Sequence, residues 1–346
     1  MQQVPLGRTG LQVSEIAFGG IPIQRLSHAE AVAVVRHCLD AGITFIDTAH
    51  GYGTSEERIG EAIRGRREGL VLASKSPARD GETFQAHLEQ SFTRLGVDYI
   101  DLYQFHNVAT AEALEQVLAP GGAMEAALRA REAGRIGHIG VTSHNLQMAI
   151  KMADMGIFET MMFPFNYVTR EPLQELIPLC QRNGVGFIAM KPMGGGMLED
   201  ATLSFKYQRQ HAGVVPVVGI ERAAEMDEIL QIWADPAPLS TAEMARIDEI
   251  VARLGTRFCR RCDYCQPCPQ QIPISTILNI KSFAARMPAE RVYGDWGRQL
   301  IASAQSCIRC GQCEGRCPYG LPVPDLVAEY AGWYHQLMAQ HAGQGV

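Results

Sequence analysis

What this chain does without narrows its class before any motif is read. No stretch approaches the run of about 18 apolar residues that a membrane-spanning helix needs. Met1 to Gly10 is polar and turn-forming where a secretory signal needs an apolar run of about 7 to 15. No long basic block disturbs a balance of 31 basic against 37 acidic side chains, a formal charge of −6. Such a surface offers no electrostatic footprint for nucleic acid or anionic lipid, so the expected partners are a small-molecule substrate and a protein electron donor or acceptor. Cysteine is nearly missing from the chain before Cys259, where only Cys38 and Cys180 occur. In a reducing compartment clustered thiols read as metal ligands rather than disulfides, and the cytoplasm is the expected location.

What is present begins with a rhythm. Between Glu15 and about Asp235, short apolar or β-branched runs alternate with amphipathic stretches such as His28 to Ala41, Phe84 to Leu95, Met124 to Ala133, Glu171 to Arg182 and Ala223 to Trp233. The runs predict eight strands: Ile16 to Phe18, Thr44 to Asp47, Leu70 to Ser74, Ile100 to Phe105, His138 to Val141, Thr160 to Phe163, Gly186 to Met190 and Val214 to Val218. Eight strand–helix repeats in roughly 250 residues fit a closed parallel (β/α)8 TIM barrel. An open doubly wound sheet is the main competitor, but no Gly-x-Gly-x-x-Gly follows the first strand. Ser240 and Glu243 stand in capping-box spacing before a helix that should run to Leu254 and stop at Gly255. The expected division is therefore a barrel over residues 1–256 and a small α-helical, ferredoxin-like iron-sulfur domain over 257–346.

The other eight cysteines form two runs. Cys307-x2-Cys310-x2-Cys313-x3-Cys317-Pro318 has the bacterial ferredoxin spacing, in which three close thiolates wrap one cluster and the fourth reaches another. Two intervening residues let a tight turn aim successive sulfurs into one cavity, and the proline ends the loop without needing a backbone donor. Cys259-x2-Cys262-x2-Cys265-x2-Cys268-Pro269 is one residue shorter before its last cysteine, which leaves its fourth ligand less firmly set. A crossed arrangement is still expected, with Cys259, Cys262, Cys265 and Cys317 on one 4Fe-4S cluster and Cys307, Cys310, Cys313 and Cys268 on a second. Two structural zinc sites are the competing reading, but zinc modules seldom need three consecutive close steps and a Cys-Pro end twice. Cys38 and Cys180 sit in apolar helical patterns and read as core, and Tyr293, Trp296 and Trp333 as packing residues.

In the barrel, four polar residues stand at or just past strand ends: Asp47, Tyr52, Lys75 and His106. In a barrel they converge on one mouth. Carbonyl chemistry uses such a set, because a neighbouring ammonium favours the phenolate, a carboxylate fixes the ammonium, and an imidazole hydrogen-bonds a substrate oxygen. Singly, each reads more readily as a backbone cap. His50 and His144, in loops at the same mouth, are weaker candidates for substrate contact, since loop histidines commonly face solvent.

Together the four residues resemble the tetrad of the aldo/keto reductase family, in the same order. The opening Leu6-Gly7-Arg8-Thr9-Gly10-Leu11, the segment Gly134-Arg135-Ile136-Gly137-His138-Ile139-Gly140 and the loop Lys191-Pro192-Met193-Gly194-Gly195-Gly196 are similar to that family's hairpin, fifth-strand entry and post-seventh-strand loop. With the cysteine-rich tail added, the likeness is to its iron-sulfur branch. The resemblance implies an oxidoreductase that interconverts a carbonyl and an alcohol on a small aldehyde, ketone or sugar, with Tyr52 as acid-base, Lys75 and Asp47 tuning it and His106 orienting the substrate. It also implies NADP or NAD, held by Thr142, Ser143 and Asn166 at the nicotinamide, Lys191 and Gly194 at the pyrophosphate, and Gly219, Arg222, Glu225 and Glu228 near the adenosine. The family commonly places Gln and a stacking Tyr where this sequence reads Met162 and Met190. Because a nicotinamide gives two electrons and each cluster passes one, a second reading has the clusters relaying single electrons to a flavin or substrate in the barrel. A third has the barrel as a ligand-responsive scaffold with the clusters sensing oxygen.

Overall fold

Each of the eight apolar runs forms a strand, and a short hairpin precedes them. The computed structural model describes residues 1–343. The hairpin pairs β1 (Gln3–Pro5) with β2 (Gln12–Ser14), Val4 opposite Val13. The eight parallel strands that follow are β3 (Ala17–Gly19), β4 (Phe45–Asp47), β5 (Val71–Ser76), β6 (Ile100–Phe105), β7 (Ile136–Thr142), β8 (Thr160–Pro164), β9 (Gly186–Met190) and β10 (Val214–Val218). They close into a barrel in chain order, β10 pairing back to β3.

Side-chain alternation along these strands decides what fills the barrel. Phe45, Val71, Ala73, Leu102, Met162, Ile188, Val215 and Val217 share one apolar cluster, and Leu6 and Val13 of the hairpin segment belong to it. Asp47, Lys75 and Gln104 lie two residues beyond Phe45, Ala73 and Leu102, so the same parity brings them to the carboxyl end of the barrel interior. Gly7 lets the hairpin approach this closely: it has φ +57, and a Cβ there would stand 2.2 Å from the Gly186 nitrogen. Arg8 ties the hairpin down through the carbonyls of Asn183 at 2.8 Å and Gly156 at 2.7 Å.

Helices fill the outer layer with local signals in place. His28–Asp40 opens on a reciprocal Ser27–Glu30 capping box. Gly81–Leu95 opens on the Asp80 carboxylate and closes on Gly96 at φ +63. One expectation needs correction. The stretch predicted as a single helix over 171–182 is a 3-10 turn at Glu171–Leu173 followed by the helix Leu176–Arg182. Pro178 explains the break, since it lacks an N–H and is tolerated only in a helix's first turn.

The chain falls into two compact units, Met1–Gly194 with Leu198–Leu239, and Gly195–Met197 with the residues from Ser240 onward. In the second unit the Ser240–Glu243 capping box starts the helix Thr241–Leu254. Four short helices, Ile274–Ile277, Ile280–Ala284, Ala289–Tyr293 and Asp295–Ala302, separate the cysteine runs, and a long helix, Val323–Gly343, closes the unit. Their apolar faces share one core that includes Ile277, Ile280, Ile301, Leu326, Val327 and Tyr334. The Tyr334 hydroxyl donates to the Val292 carbonyl at 2.8 Å, which satisfies its polar end inside that core. Trp296 packs edge-on against Phe283 at 5.7 Å, and Lys281 lies 5.5 Å from the Trp333 ring. Among the described residues no helix is long and apolar enough to cross a membrane.

Candidate functional site

The four strand-end residues come together. Lys75 is fully buried, and its ammonium donates to Asp47 Oδ2 at 2.6 Å and to the Thr48 carbonyl at 2.6 Å. Gln104 donates to Asp47 Oδ1 at 3.3 Å. The Lys75 nitrogen stands 5.0 Å from the centre of the Tyr52 ring. Tyr52 and His106 meet edge to face, ring centres 5.6 Å apart. Burial pulls the Lys75 ammonium down, but Asp47 and Tyr52 outweigh it, and its pKa lies above the usual lysine value. Burial pushes the Asp47 carboxyl up, against the charge of Lys75 and the Gln104 amide. A cation is thus held charged in a dry site against a phenol oxygen, where electrostatic effects are larger than in water.

Sequence reasoning passed over part of this site. Gln104 and the Thr48 carbonyl complete the shell of the ion pair. Gln104 sits two residues before His106 with the parity of the barrel interior, so strict alternation would have found it. A second network lies behind β5, where Ser74 and Ser76 alternate with Lys75. Ser74 donates to the fully buried Glu56 at 2.6 Å, and Ser76 is 2.8 Å from His87 Nδ1. His87 stacks on His50 at 3.8 Å, and Arg94 reaches His50 Nδ1 at 3.4 Å and Glu56 at 3.4 Å. Burial, His87 and Arg94 pull His50 down to about 4. His50 is therefore held against the helix layer, and its backbone N–H donates to the Lys75 carbonyl at 2.9 Å. His144 is buried beside Asn107, their Nδ1 and Oδ1 atoms 3.0 Å apart.

The candidate nicotinamide residues are mostly engaged locally. Asn166 donates to the Lys191 carbonyl at 3.0 Å and accepts from the backbone of Val168 and Thr169. Ser143 exchanges hydrogen bonds with the backbone of Asn145. Thr142 accepts from Asn107 N at 2.7 Å, which leaves its hydroxyl proton for a ligand. Met162 is buried in the barrel cluster, with Met190 packed against it. Lys191 and Gly194 both have positive φ, and the Gly194 N–H donates to the Lys191 carbonyl at 2.9 Å to close a tight turn. A Cβ on Gly219 would meet Pro22 at 2.7 Å, so this glycine serves packing. Arg222 is held by Glu225 Oε1 at 3.0 and 2.8 Å, and Glu228 is exposed.

The cysteines of the second unit gather around two cavities. Cys259, Cys262, Cys265 and Cys317 line one, and Cys268, Cys307, Cys310 and Cys313 line another. Each mixes three thiols of one run with one of the other. Among the described residues no three His, Cys, Asp or Glu side chains are gathered for a single metal ion. Thiols ranged around a void suit the larger, multinuclear group. Cys310 is exposed, while Cys262 is buried. Cys38 and Cys180, by contrast, are fully buried in the first unit.

Two family models match the chain: the aldo/keto reductase family over residues 15–204 and the 4Fe-4S dicluster domain over 258–322. The chain belongs to the aldo/keto reductase family. This aldo/keto reductase is 28% identical over 235 residues to the aldo-keto reductase YhdN of Bacillus subtilis, covering 61% of this chain and 69% of that one. It is 27% identical over 217 residues to the uncharacterized oxidoreductase YqkF of the same organism, covering 59% and 68%. Among solved structures, a putative aldo-keto reductase from Pseudomonas aeruginosa superposes with TM-score 0.60 at 25% identity, over 67% of this chain and 94% of that one. The holo form of aldo-keto reductase AKR11C1 from Bacillus halodurans shares the fold with TM-score 0.63 at 22% identity, over 72% and 96%. The chain is therefore an oxidoreductase of aldo/keto reductase type that carries a 4Fe-4S domain.

Proposed function

We propose that this aldo/keto reductase interconverts a small carbonyl compound and its alcohol with NAD(P), and that its second unit holds two 4Fe-4S clusters in crossed cysteine quartets. The observation that carries the first part is the buried Asp47–Lys75 pair set against the Tyr52 hydroxyl, with the His106 ring 5.6 Å from that of Tyr52. Tyr52 protonates the carbonyl oxygen as the alcohol forms and takes the proton back in the reverse direction. Lys75, kept charged by Asp47, stabilises the phenolate that this leaves, and His106 hydrogen-bonds the substrate oxygen and fixes its direction. A bound nicotinamide supplies or accepts the hydride. Lys191 and the turn at Gly194 would face its pyrophosphate, and the Thr142 hydroxyl its carboxamide.

The second part rests on the two cavities, each lined by four cysteines from both runs. The cysteine-rich domain is read as beginning near residue 256, and the helix Thr241–Leu254 that precedes it groups with the same compact unit. Anaerobic purification should give about eight irons with matching sulfide per chain. Reduced nicotinamide should be consumed with a panel of short aldehydes and ketones, and Tyr52→Phe should abolish that turnover. A zinc content in place of iron, or turnover indifferent to Tyr52, overturns the reading. The local engagement of Ser143 and Asn166 favours one competitor, in which the clusters relay single electrons to a flavin or substrate in the barrel. Released flavin, with turnover lost whenever the clusters are lost, would select it.

A further inference from the structure

One cation beside the tetrad has no counter-ion. Arg79 follows β5 by three residues, in a loop whose backbone is pinned: Ala123 N donates to the Arg79 carbonyl at 2.8 Å and Gly81 N to that of Gly121 at 2.8 Å. Its side chain reaches the loop after β6, where Nη2 donates to the carbonyls of His106 and Asn107, both at 2.9 Å. Nη1 approaches the Ala78 carbonyl only at 3.4 Å. The guanidinium is half-buried, and burial pulls its pKa below the usual value with no acidic group to offset it. Among the described residues no carboxylate pairs with it.

Bracing two carbonyls requires a donor but no charge, and a neutral amide would do it at lower desolvation cost. Two neighbouring cations are matched: Lys75 by Asp47 at the mouth, and Arg94 by Glu56 in the network behind β5. Arg79 keeps an unmatched charge and spare N–H groups next to the peptide of His106, on the loop that leaves the strand bearing Lys75. A guanidinium presents a planar fork suited to an oxyanion.

We propose that Arg79 is a specificity residue that binds the carboxylate of a short-chain oxo acid, or of the matching hydroxy acid, so that its carbonyl lies against Tyr52 and His106. This rests on the carbonyl-reducing function above and names its substrate class. Arg79 makes and breaks no bond in the reaction: the carbonyl carbon takes the hydride and its oxygen the Tyr52 proton, while the carboxylate stays ionised on the guanidinium.

The test compares 4-oxobutanoate with butanal, which differ in the terminal carboxylate, on the anaerobically prepared full chain. The oxo acid should show a kcat/KM about 10- to 100-fold higher, mostly through KM, as a charge-assisted pair of 1.5–3 kcal/mol gives. Arg79→Gln keeps an amide donor for the His106 carbonyl and removes the charge. It should erase that preference, lowering kcat/KM for the oxo acid by about 10- to 100-fold more than for butanal. Separately, succinate should raise the Tm of the wild type more than neutral succinamide does, and should not stabilise Arg79→Gln. Equal losses on both substrates, or equal effects of succinate and succinamide on the wild type, overturn the proposal. If Arg79→Gln does not fold, the wild-type comparison still decides, and Arg79→Lys should retain part of the preference. Succinate binding that depends on Arg79 without turnover of any carbonyl would sink the reductase reading and leave the subsite standing. Turnover of butanal without a preference for the oxo acid would do the reverse.

Discussion

Replacing Lys75 with methionine tests the centre of the site most sharply. Lys75 is fully buried and Asp47 is 3% exposed, so the substitution leaves a carboxylate in the barrel with only the Gln104 amide to meet it. Removing one partner of a buried pair costs about 3–5 kcal/mol. At about 2–4 °C per kcal/mol for a unit of this size, that lowers the Tm of the barrel by roughly 6–20 °C. The penalty should depend on pH in a defined direction. Burial already raises the Asp47 pKa, and Lys75 is the main influence opposing it. In Lys75→Met the folded pKa therefore lies further above the unfolded value of about 3.9. Stability relative to wild type is recovered below that unfolded value and lost as pH rises through the folded one. Asp47→Asn combined with Lys75→Met removes both charges and should restore most of the lost stability while leaving the enzyme inactive. The assay is urea unfolding followed by tryptophan fluorescence between about pH 3 and 8, which spans the unfolded carboxylate value, alongside turnover. A double variant no more stable than Lys75→Met, or a single-variant loss under about 1 kcal/mol, would refute the claim that these two charges are coupled in a dry interior.

Further outcomes follow from other parts of the chain. Tyr52→Phe should lower kcat by about 10²- to 10⁴-fold with KM little changed, since the hydroxyl acts in the proton step. NADH should bind more tightly than NADPH by fluorescence titration, because Arg222, the cation expected at the adenosine end, is already held by Glu225; Glu225→Gln should narrow the difference. Cys259→Ser and Cys317→Ser should remove the same electron paramagnetic resonance signal, and Cys313→Ser the other one; if Cys317 follows Cys313, the crossed pairing is wrong. His50, pulled down to about 4 by burial, His87 and Arg94, contributes stability that is present above its unfolded value near 6.5 and lost as pH falls through about 4. His50→Gln should flatten the acid limb of the unfolding profile over that window.

The barrel was legible because its signals are local and redundant. Each strand is a short apolar run bounded by turn residues, and three of the eight, Ile100–Phe105, Gly186–Met190 and Val214–Val218, have the predicted ends. Among the ends that differ, that of β5 follows from side chains that look polar and are buried. β5 continues through Lys75 and Ser76 because one is spent on Asp47 inside the barrel and the other on His87 outside it. Their hydrogen bonds make them as compatible with a strand as valine. The tetrad was legible for the same topological reason: once eight parallel strands close, every strand-end residue shares a mouth.

The nicotinamide contacts were not legible, and the contrast with the cysteines shows why. A thiol has almost no backbone use, so eight of them at fixed spacing retain their meaning wherever the chain folds. The interleaving of the two runs around two cavities then needs only one close approach between segments some fifty residues apart. Amides and hydroxyls are different, because the backbone competes for them. Asn166 and Ser143 stand at positions that invite a ligand, yet the turn after β8 takes the Asn166 carbonyl oxygen and one of its two amide hydrogens, and the start of helix Leu146–Asp154 consumes the Ser143 hydroxyl. Thr142 keeps its donor, because Asn107 takes its oxygen and leaves its proton. Thr142→Val should weaken NADH binding by about 1 kcal/mol, roughly fivefold, whereas Ser143→Ala and Asn166→Ala should act through loss of turn geometry and barrel stability. Equal weakening by Thr142→Val and Asn166→Ala at unchanged stability would show that Asn166 leaves the backbone when the nicotinamide arrives.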